Sequence, residues 1–163
     1  MDPISVTIED PVEHPVQTEV ESLLAQSDSV AALLYPGEYR RPITAASLAK
    51  PDTYVLIARL AGKAVGLCVL FDRGDRTMEL KRMIVDAGSR GIGVGVALLR
   101  KAEAQALDQG AQVLMLEVGT RNTEAQQLYR RGGYQPCDAF PPYTATPISL
   151  FMRRSLVAAV SQR

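Results

Sequence analysis

The spacing of hydrophobic and polar residues changes along the chain, and each change predicts a new element. Alternation with a period of two, or a short apolar run between polar turns, is typical of a strand. Five segments have such a pattern: residues 5–9, 53–60, 64–71, 77–85 and 113–118. Two further strands are predicted near Tyr134 and over residues 148–152.

Apolar residues that recur every three or four positions predict the helices. Gly110 follows the longest of these segments, and glycine commonly lies directly after a helix. The predicted helices cover the stretch from residue 16 to the break at residues 35–37, then residues 44–49, 92–109 and 122–131. The resulting order of elements is βααβββαβαββ.

One polar turn carries a glycine pattern that indicates a ligand. Arg90-Gly91-Ile92-Gly93-Val94-Gly95 lies between the strand predicted over residues 77–85 and the longest helix. Glycines at every second position let the backbone turn tightly and bring its N–H groups close to a ligand. The N-terminus of the following helix favours a phosphate, and Arg90 adds positive charge. The pattern predicts a pyrophosphate-binding loop, although its spacing matches neither Gly-x-Gly-x-x-Gly nor a Walker loop.

Three segments follow one another in an order that is typical of one family: residues 79–85, the glycine loop and residues 122–134. The loop resembles the acetyl-CoA loop of the GNAT family of N-acetyltransferases, Gln/Arg-x-x-Gly-x-Gly/Ala. Residues 79–85 are similar to that family's fourth strand. Residues 122–134 are similar to its Asn-x-x-Ala-x-x-Leu-Tyr-x-x-x-Gly-Phe/Tyr segment. Gly88 stands where the loop pattern begins with Gln or Arg, so one expected pyrophosphate contact is lost or is taken over by Arg90.

The resemblance implies a single GNAT domain over residues 1–163 with an α/β (α+β) fold. In that fold a central mixed, mostly antiparallel sheet of about seven strands carries helices on both faces. It also implies an acyltransferase that uses acetyl-CoA. Asn122 is a favoured N-cap residue as well as an expected cofactor contact, and the two roles are compatible. The expected acetyl-CoA contacts are Met83, Ile84, Val85, Gly88, Ser89, Arg90, Gly91, Ile92, Gly93, Val94, Gly95, Asn122 and Tyr129.

Glu79 and Tyr129 are the candidate catalytic residues. An amine must lose its proton before or during attack on a thioester, and the departing thiolate benefits from an acid. The resemblance implies that Glu79 is this base and that Tyr129 is this acid. In a regular strand Glu79, Lys81 and Met83 share one face. Two simpler interpretations stay open: Glu79 pairs with Lys81 or Arg82, and Tyr129 only packs its helix on the sheet.

The resemblance implies that the acceptor pocket lies between the loop over residues 29–41 and the segment over residues 140–143. A guanidinium or ammonium group there would suit a substrate carboxylate, which favours an amino acid or a similar small amine. The candidate substrate-binding residues are Tyr35, Arg40, Lys81 and Tyr143. A charged loop is often simply solvated, so a substrate role for Arg40 and Lys81 stays open.

The composition excludes several classes of function. The 163 residues include 18 basic and 18 acidic side chains, so no net charge favours nucleic acid or an anionic membrane. No apolar run is long enough to span a membrane and the N-terminus has no basic signal region, so a cytoplasmic protein is expected. His14 is the only histidine, which argues against a metal site. Cys68 and Cys137 are expected to be separate reduced thiols.

The expected function is the transfer of an acetyl group to the primary amine of a small molecule. One alternative is a regulator that binds acetyl-CoA without turnover, although such a protein has no need of both Glu79 and Tyr129. The other is a protein N-acetyltransferase, for which the zero net charge indicates no acidic groove for basic peptides. Whether the protein forms a homodimer stays open.

Overall fold

The computed structural model describes residues 6–8, 17–38, 43–44, 46–48 and 50–156. These residues form one sheet, three α-helices and two 3₁₀ turns. The strands are β1 (Val6–Ile8), β2 (Thr53–Leu60), β3 (Lys63–Asp72), β4 (Thr77–Val85), β5 (Val113–Gly119), β6 (Gln135–Cys137) and β7 (Ser149–Ser155). The helices are α1 (Gln17–Leu34), α2 (Val94–Asp108) and α3 (Thr123–Arg131), and the 3₁₀ turns are Ala46–Leu48 and Ala87–Ser89.

The sheet contains seven strands in the order β1-β2-β3-β4-β5-β7-β6. β4 and β5 run parallel, and the other neighbouring pairs are antiparallel. Parallel neighbours need a long crossover connection, which α2 provides between β4 and β5. The predicted mixed, mostly antiparallel sheet is therefore confirmed.

Each face of the sheet buries a different set of helices. α1 packs Val20, Leu23 and Leu24 against one face. α2 packs Leu98 and Leu99 against the other face, where part of α3 also lies. Each helix therefore buries an apolar stripe, and the predicted arrangement of helices on both faces is confirmed. Among the described residues, no helix combines the length and the hydropathy needed to cross a bilayer.

Local signals set most of the helix ends. Asn122 caps α3, since its side-chain oxygen accepts a hydrogen bond from the N–H of Ala125 at 3.2 Å. Gly110 follows α2 with a φ of 85°, a left-handed value that glycine adopts without strain. The second helix predicted over residues 44–49 is wrong, because the described part of this segment forms only the 3₁₀ turn Ala46–Leu48. So short a segment cannot offset the cost of nucleating an α-helix.

β4 contains a bulge near its middle. Between the pairs Val69–Lys81 and Leu67–Ile84, β4 has two residues where β3 has one. Arg82 lies in this interval with a φ of 57°, outside the strand region. The extra residue shifts the alternation of the strand by one position and bends β4.

The bulge overturns the prediction that Glu79, Lys81 and Met83 share one face. The side chain of Met83 packs into the core on the α2 face. Lys81 lies on the α1 face, where its Nζ is 5.4 Å from the ring centroid of Phe71. Glu79 is two residues before Lys81 in the regular part of the strand, so it shares the face of Lys81 and not that of Met83.

β4 and β5 separate after a short paired stretch. Residues 77–80 of β4 pair with residues 113–116 of β5. β4 continues to Val85 and β5 continues to Gly119, while β5 stays paired with β7 along its whole length. The edge of β4 beyond residue 80 therefore presents backbone N–H and C=O groups to an opening within the sheet.

A buried polar cluster fixes α2 against the C-terminal strands beside this opening. Glu103 of α2 is 6% exposed and accepts a hydrogen bond from the Tyr134 hydroxyl at 2.8 Å. The same carboxylate forms ion pairs with Arg100 and Arg154, each at 2.7 Å, so its charge is compensated. The ring of Tyr134 contacts that of Tyr129 edge to face, at a centroid distance of 5.9 Å. The cluster thus holds the ring against which Tyr129 packs.

Candidate active site

The opening between β4 and β5 leads into a large cavity. Its volume is about 1260 Å³, and residues on both faces of the sheet line it. We call the part around Glu79, Lys81 and Tyr143 the α1 compartment. The part around Gly95 and Tyr129 is the α2 compartment. The opening connects the two compartments through the sheet.

Most of the predicted site residues line this cavity. The lining residues include Glu79 and, of the predicted cofactor contacts, Met83, Ile84, Val85, Ser89, Arg90, Gly91, Gly93, Val94, Gly95, Asn122 and Tyr129. Gly88 and Ile92 are not among the lining residues. Tyr35, Lys81 and Tyr143 line the cavity as well, whereas Arg40 lies outside the described residues. Most of the predicted residues thus lie around one cavity, and the site and the roles of its residues stay predictions.

The glycine loop has an open, left-handed backbone. Gly91 and Gly93 have φ values of 81° and 94°, which residues with a side chain rarely adopt. A Cβ at either position would meet nothing within 4 Å, so the surface of the loop is accessible. Gly93 is the N-cap of α2 and makes no side-chain cap, so the first N–H groups of the helix lack partners within it. This combination fits an anion such as a pyrophosphate.

Two other residues of the loop make contacts within the protein. The Nε of Arg90 donates a hydrogen bond to the carbonyl oxygen of Val85 at 3.2 Å, which joins the loop to the end of β4. A Cβ at Gly95 would lie 3.3 Å from the Cδ2 of Leu128, tighter than an ordinary contact. Gly95 therefore allows α2 to approach α3 closely, a packing reason that is separate from any ligand.

Glu79 is a buried carboxylate at the inner end of the α1 compartment. It is 5% exposed, and its Oε2 accepts a hydrogen bond from the Tyr143 hydroxyl at 2.7 Å. Burial raises the pKa of Glu79, while Tyr143, Lys81 and Arg73 lower that pKa by smaller amounts. The predicted ion pair with Lys81 is present, with an Oε2–Nζ distance of 3.8 Å. The carboxylate nevertheless keeps the increased proton affinity that suits a general base.

Aromatic rings hold Lys81 and Tyr143 in place. The Nζ of Lys81 lies 5.4 Å from the ring centroid of Phe71 and 5.1 Å from that of Tyr143. The Tyr143 ring packs against Phe140 and Phe151, at centroid distances of 5.4 and 6.0 Å. Faces of aromatic rings attract cations. Lys81 therefore has its partners within the protein, and the rings around it form an environment that favours positive charge.

Replacing Tyr143 with Phe is expected to move the acid limb of the kcat/KM profile to higher pH. The hydroxyl of Tyr143 lowers the pKa of Glu79 by donating a hydrogen bond to the carboxylate, so its loss raises that pKa further. A base acts only in its deprotonated form, so activity then begins at a higher pH. The profiles of the parent and of Y143F should be compared with that of Y54F. This control loses a hydroxyl that donates a hydrogen bond to Gln109, away from the cavity. An unmoved acid limb in Y143F would show that Glu79 does not govern it.

Tyr129 lies on the other side of the opening from Glu79. It is 6% exposed, and it belongs to the core on the α2 face while also lining the cavity. Burial raises the pKa of its phenol, and the nearby Cys68 thiol adds a smaller contribution in the same direction. The phenol is therefore protonated throughout the neutral range. Packing against Tyr134 and a position on the cavity wall are both present, so the two interpretations of Tyr129 are compatible.

Tyr35 closes one end of the α1 compartment. The contacts that hold it there could not be predicted from the sequence. Its hydroxyl accepts a hydrogen bond from the backbone N–H of Arg121 at 2.6 Å. The guanidinium of Arg121 donates to the carbonyl oxygen of Leu34 at 2.9 Å and lies over the Tyr35 ring. A Cβ at Gly119 would overlap the Tyr35 ring, so any larger residue there would displace that ring. These contacts fix the C-terminal end of α1 against the end of β5.

Glu117 of β5 also lines the cavity, although sequence reasoning did not single it out. Its carboxylate is exposed, and its Oε2 accepts a hydrogen bond from the Ser149 hydroxyl at 2.6 Å. A usable signal was present in the sequence. Glu117 is the only charged residue within the apolar strand over residues 113–118. A charge at such a position requires a solvated or polar site beside the strand.

The glycine loop, the opening in the sheet and the cavity lined by Glu79 and Tyr129 can be compared with known proteins. A model of the Acetyltransferase (GNAT) family matches residues 19–134 of the chain. The chain belongs to this family. The resemblance that the sequence motifs indicated is confirmed, and as a GNAT protein the chain is an acyltransferase.

Individual GNAT relatives agree with this assignment. The IAA acetyltransferase of Azospirillum brasilense is 36% identical over 145 residues, which cover 88% of this chain and 95% of the relative. A solved structure from Klebsiella pneumoniae, described as an acyl-CoA N-acyltransferase, is 32% identical with a TM-score of 0.80, covering 93% of this chain and 98% of the other. The PaiA N-acetyltransferase of Thermoplasma acidophilum, solved in complex with coenzyme A, has a TM-score of 0.73. It is 17% identical over 93% of this chain and 99% of its own, a likeness that concerns the fold alone.

Proposed function

We propose that this GNAT protein transfers the acetyl group of acetyl-CoA to the primary amine of a small molecule by direct attack on the thioester. The observation that supports this proposal is the position of Glu79 and Tyr129, which line one cavity from opposite faces of the sheet. Acyl transfer to an amine needs a base on the side where the amine enters and an acid on the side where the thiolate leaves. The opening between β4 and β5 lies between these two groups.

The residues of the α2 compartment fit acetyl-CoA, which supplies an activated acetyl thioester when it is bound. The open glycine loop and the N-terminus of α2 would hold the pyrophosphate. The unpaired edge of β4 at residues 83–85 would hold the pantetheine arm as an added strand. Asn122 lies at the start of α3 on the same wall. The PaiA protein of the same fold was solved in complex with coenzyme A.

Each catalytic group then has a defined task. Glu79 takes the proton of the amine, directly or through water, and its raised pKa makes this transfer less unfavourable. A backbone N–H at the free edge of β4 donates to the carbonyl oxygen as negative charge develops there. Tyr129 donates its proton to the departing sulfur. Burial of both side chains keeps bulk water from competing for these protons.

The G93V variant is expected to bind acetyl-CoA at least tenfold more weakly than the parent, because a branched side chain would cover the open backbone surface of the loop. A valine at a φ of 94° is also strained, so the matched control is G62V in the β2–β3 hairpin. Gly62 has a φ of 81° and open space around it, away from the cavity. Titration calorimetry should show weak binding in G93V alone. Undiminished affinity in a folded G93V would contradict the loop assignment.

The proposed function is tested by measuring release of the CoA thiol from acetyl-CoA in the presence of a panel of acceptors. The panel should contain simple amines, amino acids, a basic peptide and IAA, which the name of the A. brasilense relative suggests. We expect turnover with small amines. Turnover with the peptide alone would indicate a protein N-acetyltransferase. Tight acetyl-CoA binding without turnover on any acceptor would indicate a regulator, and either result would overturn the proposal.

A further inference from the structure

Glu117 places a second carboxylate on the same face of the sheet as Glu79. Glu79 pairs with Met115 across the parallel β4–β5 ladder, and paired residues of neighbouring strands point to the same face. Glu117 lies two residues beyond Met115 and therefore also points to this face. With neighbouring strands about 4.8 Å apart and a rise of about 3.3 Å per residue, the Cα atoms of Glu79 and Glu117 are roughly 8 Å apart. A small acceptor can span this distance.

Glu79 and Glu117 differ in the groups that compensate their negative charge. Glu79 has the ammonium of Lys81 at 3.8 Å and the hydroxyl of Tyr143 at 2.7 Å. Glu117 is exposed to the cavity, and its partner within the described residues is the neutral hydroxyl of Ser149. Among the residues that the structure describes, this negative charge on the wall of the compartment is thus hydrogen-bonded but has no cationic partner. A carboxylate held in this way is a ready partner for a cationic group of a ligand.

Lys81, the cation beside Glu79, already has interaction partners within the protein. Lys81 lies over the rings of Phe71 and Tyr143 as well as beside Glu79. A substrate carboxylate that bound Lys81 would have to compete with Glu79 and would lie on the same face as Glu117, where like charges repel. A zwitterionic acceptor is therefore less well matched to this compartment than one with a second cation.

We propose that the acceptor is a small amine with a second cationic group, such as a diamine, and that Glu117 binds that second group. This inference rests on the proposed acetyl transfer and names the substrate class for it. One nitrogen of the acceptor reacts on the Glu79 side of the opening. The other remains protonated and forms a charge-assisted hydrogen bond with the carboxylate of Glu117.

The test compares acceptors that differ only in the second cation. Kinetic constants for 1,4-diaminobutane and for butylamine should be measured with the parent, with E117Q and with E21Q. Glutamine keeps an oxygen that can accept the Ser149 hydrogen bond, and Glu21 is an exposed residue of α1 that does not line the cavity. We expect the parent to prefer the diamine by about tenfold or more in kcat/KM, and E117Q to lose more activity on the diamine than on butylamine, so that this preference disappears. E21Q should behave as the parent.

Charge reversal and direct binding provide independent measurements. In E117K, diamine activity should fall further than in E117Q, because like charges then meet in the compartment. Calorimetry with CoA present should show that 1,4-diaminobutane binds the parent more tightly than it binds E117Q, a readout that does not require turnover. Equal losses on diamine and butylamine in E117Q would overturn the proposal, as would a parent without any preference for the diamine. Turnover of butylamine in either case would leave the proposed acetyl transfer intact, whereas no turnover on any amine would contradict the transfer itself.

Discussion

The E79Q variant is expected to lose roughly 100-fold in kcat/KM at neutral pH while binding acetyl-CoA as tightly as the parent. Glutamine preserves the shape of the side chain and its ability to accept the Tyr143 hydrogen bond, but it cannot take a proton. Most of a simple amine is protonated at pH 7, since a primary amine has a pKa of about 10. The loss in E79Q should therefore shrink as pH rises, because the free amine then forms without a base.

The measurement is the ratio of kcat/KM between parent and E79Q from pH 6 to pH 10. Removal of the carboxylate also leaves Lys81 without its negative partner, so calorimetric binding of acetyl-CoA and a melting curve are needed as folding controls. The exposed E21Q variant serves as the matched Glu→Gln control. A rate ratio that stays constant over this range would show that Glu79 orients or stabilises the site and does not act as the base.

The Y129F variant is expected to lose about tenfold or more in kcat with little change in stability. Phenylalanine keeps the ring that packs on Tyr134 and removes only the hydroxyl. The phenol is protonated at working pH, and because burial raises the pKa of Tyr129, its proton transfer to the departing thiolate depends on close positioning. The decrease should concern the chemical step and leave the affinity for acetyl-CoA nearly unchanged.

The control for this variant is again Y54F, which loses a hydroxyl outside the cavity. A thioester with a more acidic thiol should lose less on substitution of Tyr129, because its thiolate leaves without help. If Y129F turns over at the parent rate with both donors, Tyr129 is a packing residue and the thiolate leaves unaided. A large loss of stability in Y129F would instead indicate that its hydroxyl has a structural role.

Much of the fold could be predicted because its signals are local. The apolar runs of β2 and β3 around the turn at residues 61–62, the long apolar stripe of α2 and the cap at Asn122 each depend on residues close in sequence. The glycine loop was equally accessible, since Gly91 and Gly93 occupy left-handed positions that few other residues tolerate. These elements define the entrance to the α2 compartment.

The parts that could not be predicted depend on pairing between distant strands. The bulge at Arg82 is visible only in the register of β3 with β4, and it moves Met83 to the face opposite Glu79. The separation of β4 from β5 likewise has no signal in the sequence of either strand. Glu117 could be identified as a candidate site residue only from the pairing of β5 with β4, although its charge within an apolar strand already indicated a polar site. Tyr35 is a further example, since its partner Arg121 is distant in sequence.

Mass spectrometry of the protein and of the acceptor distinguishes direct acetyl transfer from transfer through an acetylated protein. The purified protein is incubated with acetyl-CoA alone and then with an added amine. Direct attack predicts that the mass of the intact protein is unchanged by acetyl-CoA alone, and that one acetylated amine then forms for each CoA thiol released. Thiol release without acetylated amine, or a stable acetylated protein that passes its acetyl group to the amine, would rule out direct transfer from acetyl-CoA to the amine.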